Sequence, residues 1–322
     1  MRAAGFVALA SAVLIGLANM PLKAQATAGE TPSVNSITTP AWQIAAGGPM
    51  SFEVASIRPA GPGAHFRTNI NLNLEDDPVP IGGRFSATAS LGSFIALAYK
   101  FMPAGVQSDA VFGRLPKWAT ADLFTIEAKA PMANPTKDQM RLMMRSLLAE
   151  RFKLVVHSET HDVPVVALML AEPGKLGFRL RPHSQGPPCD AQIPPVDRNS
   201  PKIPDVWMPV CGNTQMIDWS NNTVILGSRN ATMAVLAAYV PTLVELDRPV
   251  VDQTGLTGSF DFELNFTPSW RMPKEQSTDT QLDLTGPTFL EALKDQLGLK
   301  LKPTRAVVQT LVIDHIEQPS PN

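Results

Sequence analysis

Cysteine and charge are scarce in this chain of 322 residues, which has two cysteines and 17% charged residues. A zinc–thiolate centre uses closely spaced ligand pairs such as CxxC, and no such pair occurs here. The net charge is −2 and the lysines and arginines are scattered, which argues against a nucleic-acid partner. Because 44% of the residues are hydrophobic, the chain can still bury a sizeable core.

The common catalytic motifs are also missing. The sequence has no GxSxG nucleophile elbow, no HExxH zinc helix, no P-loop and no GxGxxG turn. Ser93 follows Gly92, but it lacks the second flanking glycine of a nucleophile elbow. We therefore expect no cofactor, and a binding function is favoured over an enzymatic one.

A long uncharged apolar run occurs only at the N-terminus. Arg2 precedes the run from Ala3 to Ala18, and a small-x-small cleavage site follows at residues 24–26. The run is shorter than the ~20 residues that span a bilayer, so cleavage is favoured over retention as an anchor. We expect a signal peptide at residues 1–26, a flexible leader at residues 27–50, and export to the periplasm or beyond without a transmembrane segment.

Two parts of the chain repeat the same order of apolar patterns. A helix-like segment at 93–99 precedes a Phe-x-apolar segment at 124–131, and a similar pair occurs at 233–239 and 260–264. Such self-similarity indicates a duplicated supersecondary unit. The predicted fold class is α+β, with two similar β-α-β-α-β-β modules whose antiparallel or mixed sheets are covered by helices on one face. The predicted boundaries are residues 51–178 for the first module, 179–221 for a proline-rich loop and 222–322 for the second module.

The clearest predicted helix begins after Thr136, with Gln139 completing a capping box. Met140, Met143 and Met144 belong to an apolar stripe at helical spacing. A methionine stripe can line a pliable binding groove, but we assign this one to the core.

In the second module, Thr285 is the predicted cap of the second helix and Gly298 its C-terminal stop. Each module is predicted to end in a β-hairpin. The first hairpin is expected to turn near His161 and Asp162.

Cys189 and Cys211 lie in the proline-rich loop, and an oxidising compartment would let them pair. We predict a disulfide that ties off the loop, which in the chain-entropy model contributes roughly 3 kcal/mol to stability. The role expected of this bond is structural.

His157, Glu159 and His161 are the best candidates for a metal site. They alternate along a predicted strand, so they share one face and their nitrogen and oxygen atoms could converge on an ion. The favoured alternative is the solvated face of an edge strand, because the strand is expected to end near His161.

Two further groups have weaker patterns. Asp314, His315 and Glu317 suggest acid–base chemistry, but a strand end turning into solvent is the favoured interpretation. Gly255 and Gly258 could present backbone N–H groups to an anion, but a plain turn is the favoured interpretation.

The sequence resembles a family of uncharacterised exported proteins abundant in soil acidobacteria, classed as a domain of unknown function. The segments that carry the resemblance span nearly the whole mature chain: 52–59, Trp118 with 124–131, 148–159, 250–262, 296–302 and 311–320. Some relatives fuse the module to membrane-embedded metallopeptidases of the antibiotic-sensor type, and the family has no known catalytic residues. The resemblance therefore implies an extracytoplasmic sensing or interaction role.

We accordingly expect a non-enzymatic binding or sensing module for a protein, peptide or cell-envelope ligand. The alternatives are a metal-dependent hydrolase that uses His157, Glu159 and His161, and a structural protein of the envelope.

Overall fold

The computed structural model describes residues 39–76, 78–79, 82–102, 111–191, 211–218, 222–244, 246–271 and 286–319. The predicted signal peptide and the first part of the leader lie outside these residues. The last part of the predicted leader contains a short helix, α1 (Ala41–Ala45). The Arg145 guanidinium lies 4.8 Å from the centre of the Trp42 ring, and this contact anchors α1.

Helices and strands are interspersed along the described residues. Beside α1, the helices are α2 (Leu91–Tyr99), α3 (Lys117–Ala121), α4 (Lys137–Arg151), α5 (Met233–Leu243) and α6 (Phe289–Leu297). The strands are β1 (Val54–Pro59), β2 (Arg67–Thr68), β3 (Arg84–Ser90), β4 (Leu123–Lys129), β5 (Val155–Leu170), β6 (Leu180–Pro182), β7 (Gln215–Asp218), β8 (Val224–Ala231), β9 (Val250–Asp252), β10 (Phe260–Phe266) and β11 (Leu299–His315). The predicted α+β class is confirmed.

The described strands form three sheets, with the orders β1-β4-β3-β2, β6-β10-β8-β7 and β11-β5-β9. The first two sheets have matching connections. In the first sheet β3, which precedes α2, pairs antiparallel with β4, which precedes α4. In the second sheet β8, which precedes α5, pairs antiparallel with β10, which precedes α6. The element order therefore agrees with a duplication, and the superposition of the two halves stays a prediction.

The two predicted hairpins are wrong. β5 and β11 are each one long strand, and they pair with each other antiparallel from Leu299↔Leu170 to His315↔Val155. His161 lies opposite Val308 inside this ladder and not at a turn. The polar residues in the middle of β5 resemble a turn in sequence, but main-chain pairing to β11 keeps them extended.

The ribbon of β5 and β11 joins two hydrophobic cores. The first core lies between the first sheet and helices α2 and α4, and the second lies between the second sheet and helices α5 and α6. Leu311 and Ile313 of β11 pack against the first core, whereas Leu299 belongs to the second. The two predicted modules therefore share one sheet.

The methionine stripe of α4 lies in the first core. Met140, Met143 and Met144 are fully buried, so the prediction of a core face is confirmed. The capping box of Thr136 and Gln139 is also present.

The N-terminus of α6 differs from the prediction. Its cap is Thr288, whose hydroxyl accepts a hydrogen bond from the N–H of Glu291, while the Glu291 carboxylate accepts from the N–H of Thr288. Pro287 lies directly before this cap, outside the helix. Thr285 lies outside the described residues. The predicted stop is confirmed, because Gly298 caps the helix with a left-handed φ of 70°.

No helix among the described residues has the length and apolar character needed to cross a membrane.

Candidate functional site

The sequence-predicted trio lies on one face of β5 and forms a chain of hydrogen bonds. The His157 Nε2 atom is 3.1 Å from one oxygen of Glu159, and the His161 Nε2 atom is 2.9 Å from the other. Asp314 of β11 extends the chain, because its carboxylate lies 2.8 Å from His157 Nδ1. The structure therefore brings all three predicted residues together and adds a fourth.

These contacts give the trio a distinct electrostatic character. Hydrogen bonds to Asp314 and then to Glu159 raise the pKa of His157 above its ordinary value of 6.5. The two imidazoles in turn lower the pKa of Glu159 below 4.5. Both ring nitrogens of His157 are engaged, so an incoming metal ion would have to displace Glu159 or Asp314 from this imidazole.

The weaker candidates do not form one group. Asp314 contacts His157, whereas His315 hydrogen-bonds to Glu317 at 2.7 Å in an exposed pair. Gly255 and Gly258 both have left-handed φ angles in a turn. Open space surrounds the position that a Cβ would take at each.

A second cluster lies on the outer face of the second sheet. The inward residues of β10 are phenylalanines and leucine, and the alternate residues Asp261 and Glu263 point to the other face, where they are buried. Arg179 forms an ion pair with Glu263. The Arg181 Nε atom lies 3.5 Å from Asp261, directly across the ladder from β10.

His183 and the predicted disulfide complete this cluster. His183 Nδ1 lies 2.6 Å from the Asp261 carboxylate, and its Nε2 lies 3.4 Å from the sulfur of Cys189. Cys189 is bonded to Cys211, so the predicted disulfide is present. Cys211 is buried beside Arg229 of β8, whereas Cys189 is exposed.

The loop that carries Cys189 is held tightly against the sheet. The Arg229 Nη2 group donates to the carbonyl oxygens of Pro187 and Pro188, at 2.9 and 2.7 Å. Gly186 packs so closely that a Cβ at this position would lie 2.2 Å from the Asp261 carboxylate. Within the described residues, His183, Cys189 and Cys211 form the one group of three potential metal ligands with atoms all within 4.8 Å of one another.

Sequence reasoning found the two cysteines and missed His183 and Asp261. One signal was available, because Phe260-Asp261-Phe262-Glu263 places acids at alternate positions of an otherwise apolar strand. Such alternation predicts a polar layer on the outer face. The link to His183, far away in the sequence, comes from the pairing of β6 with β10.

A third feature is the free edge of β11. This strand ends the order of its sheet, so no described strand pairs with its other edge. Residues 306–313, Ala-Val-Val-Gln-Thr-Leu-Val-Ile, carry no charge, and the Val307 side chain is 72% exposed. By contrast, Lys300, Lys302 and Arg305 protect the preceding part of the edge.

Residues 92–316 match the profile of a family described as "Protein of unknown function (DUF3738)". No curated protein and no solved structure matches the chain.

Proposed function

The chain belongs to the DUF3738 family, and since that membership assigns no activity, we propose from the structure that the protein is an exported, non-enzymatic binding or sensing module. In this proposal an extended segment of a peptide or protein partner adds as a strand to the free edge of β11. Export is supported by Arg2, by the apolar run that follows it, and by the disulfide.

The observation that carries the proposal is the uncharged free edge at 306–313. Main-chain N–H and C=O groups on an unpaired edge are a ready template for another strand. Proteins usually protect such edges with lysine or proline, and β11 has those residues only in its other half, at 300–305. The unprotected half is thus the part that a partner can use.

The ribbon also holds this edge in a fixed shape. Leu311 and Ile313 pack against the first core, and Leu299 and Val166 lie in the second, so both ends of the ribbon are anchored. A template that is already ordered loses little conformational freedom when a partner strand binds. Alternate side chains of the partner would contact Val307 and its neighbours, which favours a segment with apolar residues at every second position.

Selection of peptides tests this proposal. Phage-displayed random peptides would be selected on the immobilised protein, and the Val307→Lys variant would serve as the test for edge binding. Leu290→Lys is the matched control, because it adds the same charge at an exposed leucine of α6 that is 56% accessible. We expect selected peptides to bind the native protein and the control, and to lose at least about tenfold in affinity for Val307→Lys.

Amide hydrogen exchange then locates the peptide. New protection confined to residues 306–313 would support strand addition. Peptides that bind all three proteins equally, or that protect a different region, would contradict it. A concentration-dependent dimer that protects the same residues without peptide would identify a second copy as the occupant and also overturn the peptide proposal.

A further inference from the structure

We propose that Cys189–Cys211 is an exchange-active disulfide that accepts electrons from the dithiol of another protein, with His183 positioned by Asp261 to stabilise the Cys189 thiolate. This activity is separate from strand binding at β11. It rests on the different exposure of the two cysteine residues and on the alignment of His183 and Asp261 beside Cys189.

The two cysteines differ in access. Cys189 is exposed, whereas Cys211 is 6% exposed and lies against β8. In thiol–disulfide exchange the attacking thiolate must reach one particular sulfur along the line of the bond. An external protein thiolate can therefore reach Cys189, and Cys211 is placed as the leaving and resolving sulfur.

His183 and Asp261 are aligned beside Cys189, and a purely structural disulfide does not require this arrangement. Asp261 accepts the Nδ1–H of His183, which leaves Nε2 directed at the sulfur 3.4 Å away. The carboxylate is held in turn by the N–H of Asn230 at 3.1 Å and by Arg181. Asp261 is itself buried, so these contacts hold its carboxylate, and with it the imidazole, at a fixed position. A protonated imidazole at this distance stabilises a thiolate.

The balanced reaction has two steps. A partner thiolate attacks the Cys189 sulfur, the S–S bond breaks, and Cys211 leaves as a thiolate that takes up a proton. The second thiolate of the partner then attacks the partner's sulfur in the mixed disulfide and releases Cys189 as a thiolate beside protonated His183. The partner dithiol is oxidised to a disulfide, the Cys189–Cys211 pair gains two electrons, and the two thiol protons of the partner end on Cys211 and His183.

Stabilising the product thiolate makes the oxidised pair a better acceptor, since exchange equilibria follow the stability of the reduced form. The test is equilibration of the full chain with reduced and oxidised glutathione, followed by alkylation and mass spectrometry. We expect His183→Gln to lower the equilibrium constant for reduction about tenfold, and Asp261→Asn to lower it in the same direction. His315→Gln is the control, because it changes an exposed histidine paired with Glu317.

Two readouts separate exchange activity from a structural role. Thiolate absorbance at 240 nm in the reduced protein should appear at lower pH in the native chain than in His183→Gln. If a variant fails to fold, the pH profile of alkylation in the reduced native protein still decides the matter, because the rate at Cys189 should stay high at a pH where an ordinary thiol has become unreactive. A rate that falls with pH as it does for an ordinary thiol would contradict the proposal, whatever the difference in access between the two cysteines.

Several results would overturn the proposal. One is an equilibrium constant and a thiolate transition that His183→Gln leaves unchanged. Another is complete unfolding on reduction, seen by circular dichroism, which would assign the bond to structure. Stoichiometric binding of Zn²⁺ by the reduced protein would instead assign His183, Cys189 and Cys211 to a metal site.

Discussion

At the scale of single residues, the hydrogen-bonded chain on β5 links protonation to stability. The pKa of His157 is raised, so this residue contributes stability in full below about pH 6.5 and loses it as the pH rises through its folded-state pKa. The pKa of Glu159 is lowered, so its contribution is present above about pH 4.5 and is lost as the pH falls through its folded-state pKa. These hydrogen bonds therefore contribute most to the stability of the protein in mildly acidic solution.

We predict that His157→Gln removes this pH dependence on the alkaline side. The free energy of unfolding in urea, measured between pH 5.5 and 8.5, should fall with rising pH in the native protein and stay flatter in the variant. His65→Gln, on an exposed loop, is the control and should follow the native curve. Parallel curves for the native protein and His157→Gln would show that the hydrogen bonds of His157 contribute nothing measurable to the pH dependence of the unfolding free energy.

The residue scale also shows how far the sequence could predict the site. Cys189 and Cys211 could be paired because no other thiol exists, and the trio on β5 could be grouped because strand alternation is local. Asp261 and His183 could not be connected in this way, because their contact depends on which strands are neighbours. Strand neighbourhood is a property of the whole fold and leaves no short-range pattern.

At the scale of elements, the glycine at the end of α6 combines two constraints. Gly298 has a φ of 70°, and a Cβ there would lie 2.6 Å from the backbone nitrogen of Gly177. The turn at Gly174 has a similar φ of 72° but has open space around the same position. Alanine substitutions at Gly298 and Gly174 can therefore separate two free-energy costs. One is the cost of a Cβ on left-handed backbone, and the other is the cost of a clash with neighbouring backbone.

We predict that Gly174→Ala costs about 1–2 kcal/mol of unfolding free energy, the usual penalty for a left-handed alanine. Gly298→Ala should cost clearly more, because the backbone near Gly177 has to move as well. Urea denaturation of the two variants measures the difference. Equal losses would mean that the approach of the 174–177 turn to α6 is not tight in solution.

The elements that the sequence predicted well are those that short-range signals determine. The Thr136 capping box and the methionine stripe lie within one helix, and both predictions are confirmed. The hairpins failed because β5 and β11 satisfy their main-chain groups with each other across most of the chain. A hairpin and a long-range ladder require the same alternation of residues, so local pattern cannot distinguish them.

At the scale of the whole molecule, the shared ribbon should make the two halves unfold together. A cavity in one half then lowers the stability of the other. Leu264 is fully buried in β10, and Leu264→Ala is expected to cost about 2–5 kcal/mol.

We predict that this substitution lowers the protection of amides in α2, in the opposite half, by the same free energy as in α5. Hydrogen exchange at increasing urea concentration measures both helices in one experiment. Unchanged protection in α2 would show that the halves unfold independently and that the ribbon does not couple them.

The pairing of β5 with β11 also has a consequence for how the protein is made. The sixteen residues of β5 are synthesised long before the strand that completes their sheet. Contacts between such distant parts of a chain form slowly, and an unpaired strand is exposed to aggregation meanwhile. The nascent chain must therefore keep β5 soluble until β11 has been synthesised and can pair with it. The charged and polar first half of β5, from His157 to Asp162, meets that need during biosynthesis, whatever its role in the finished molecule.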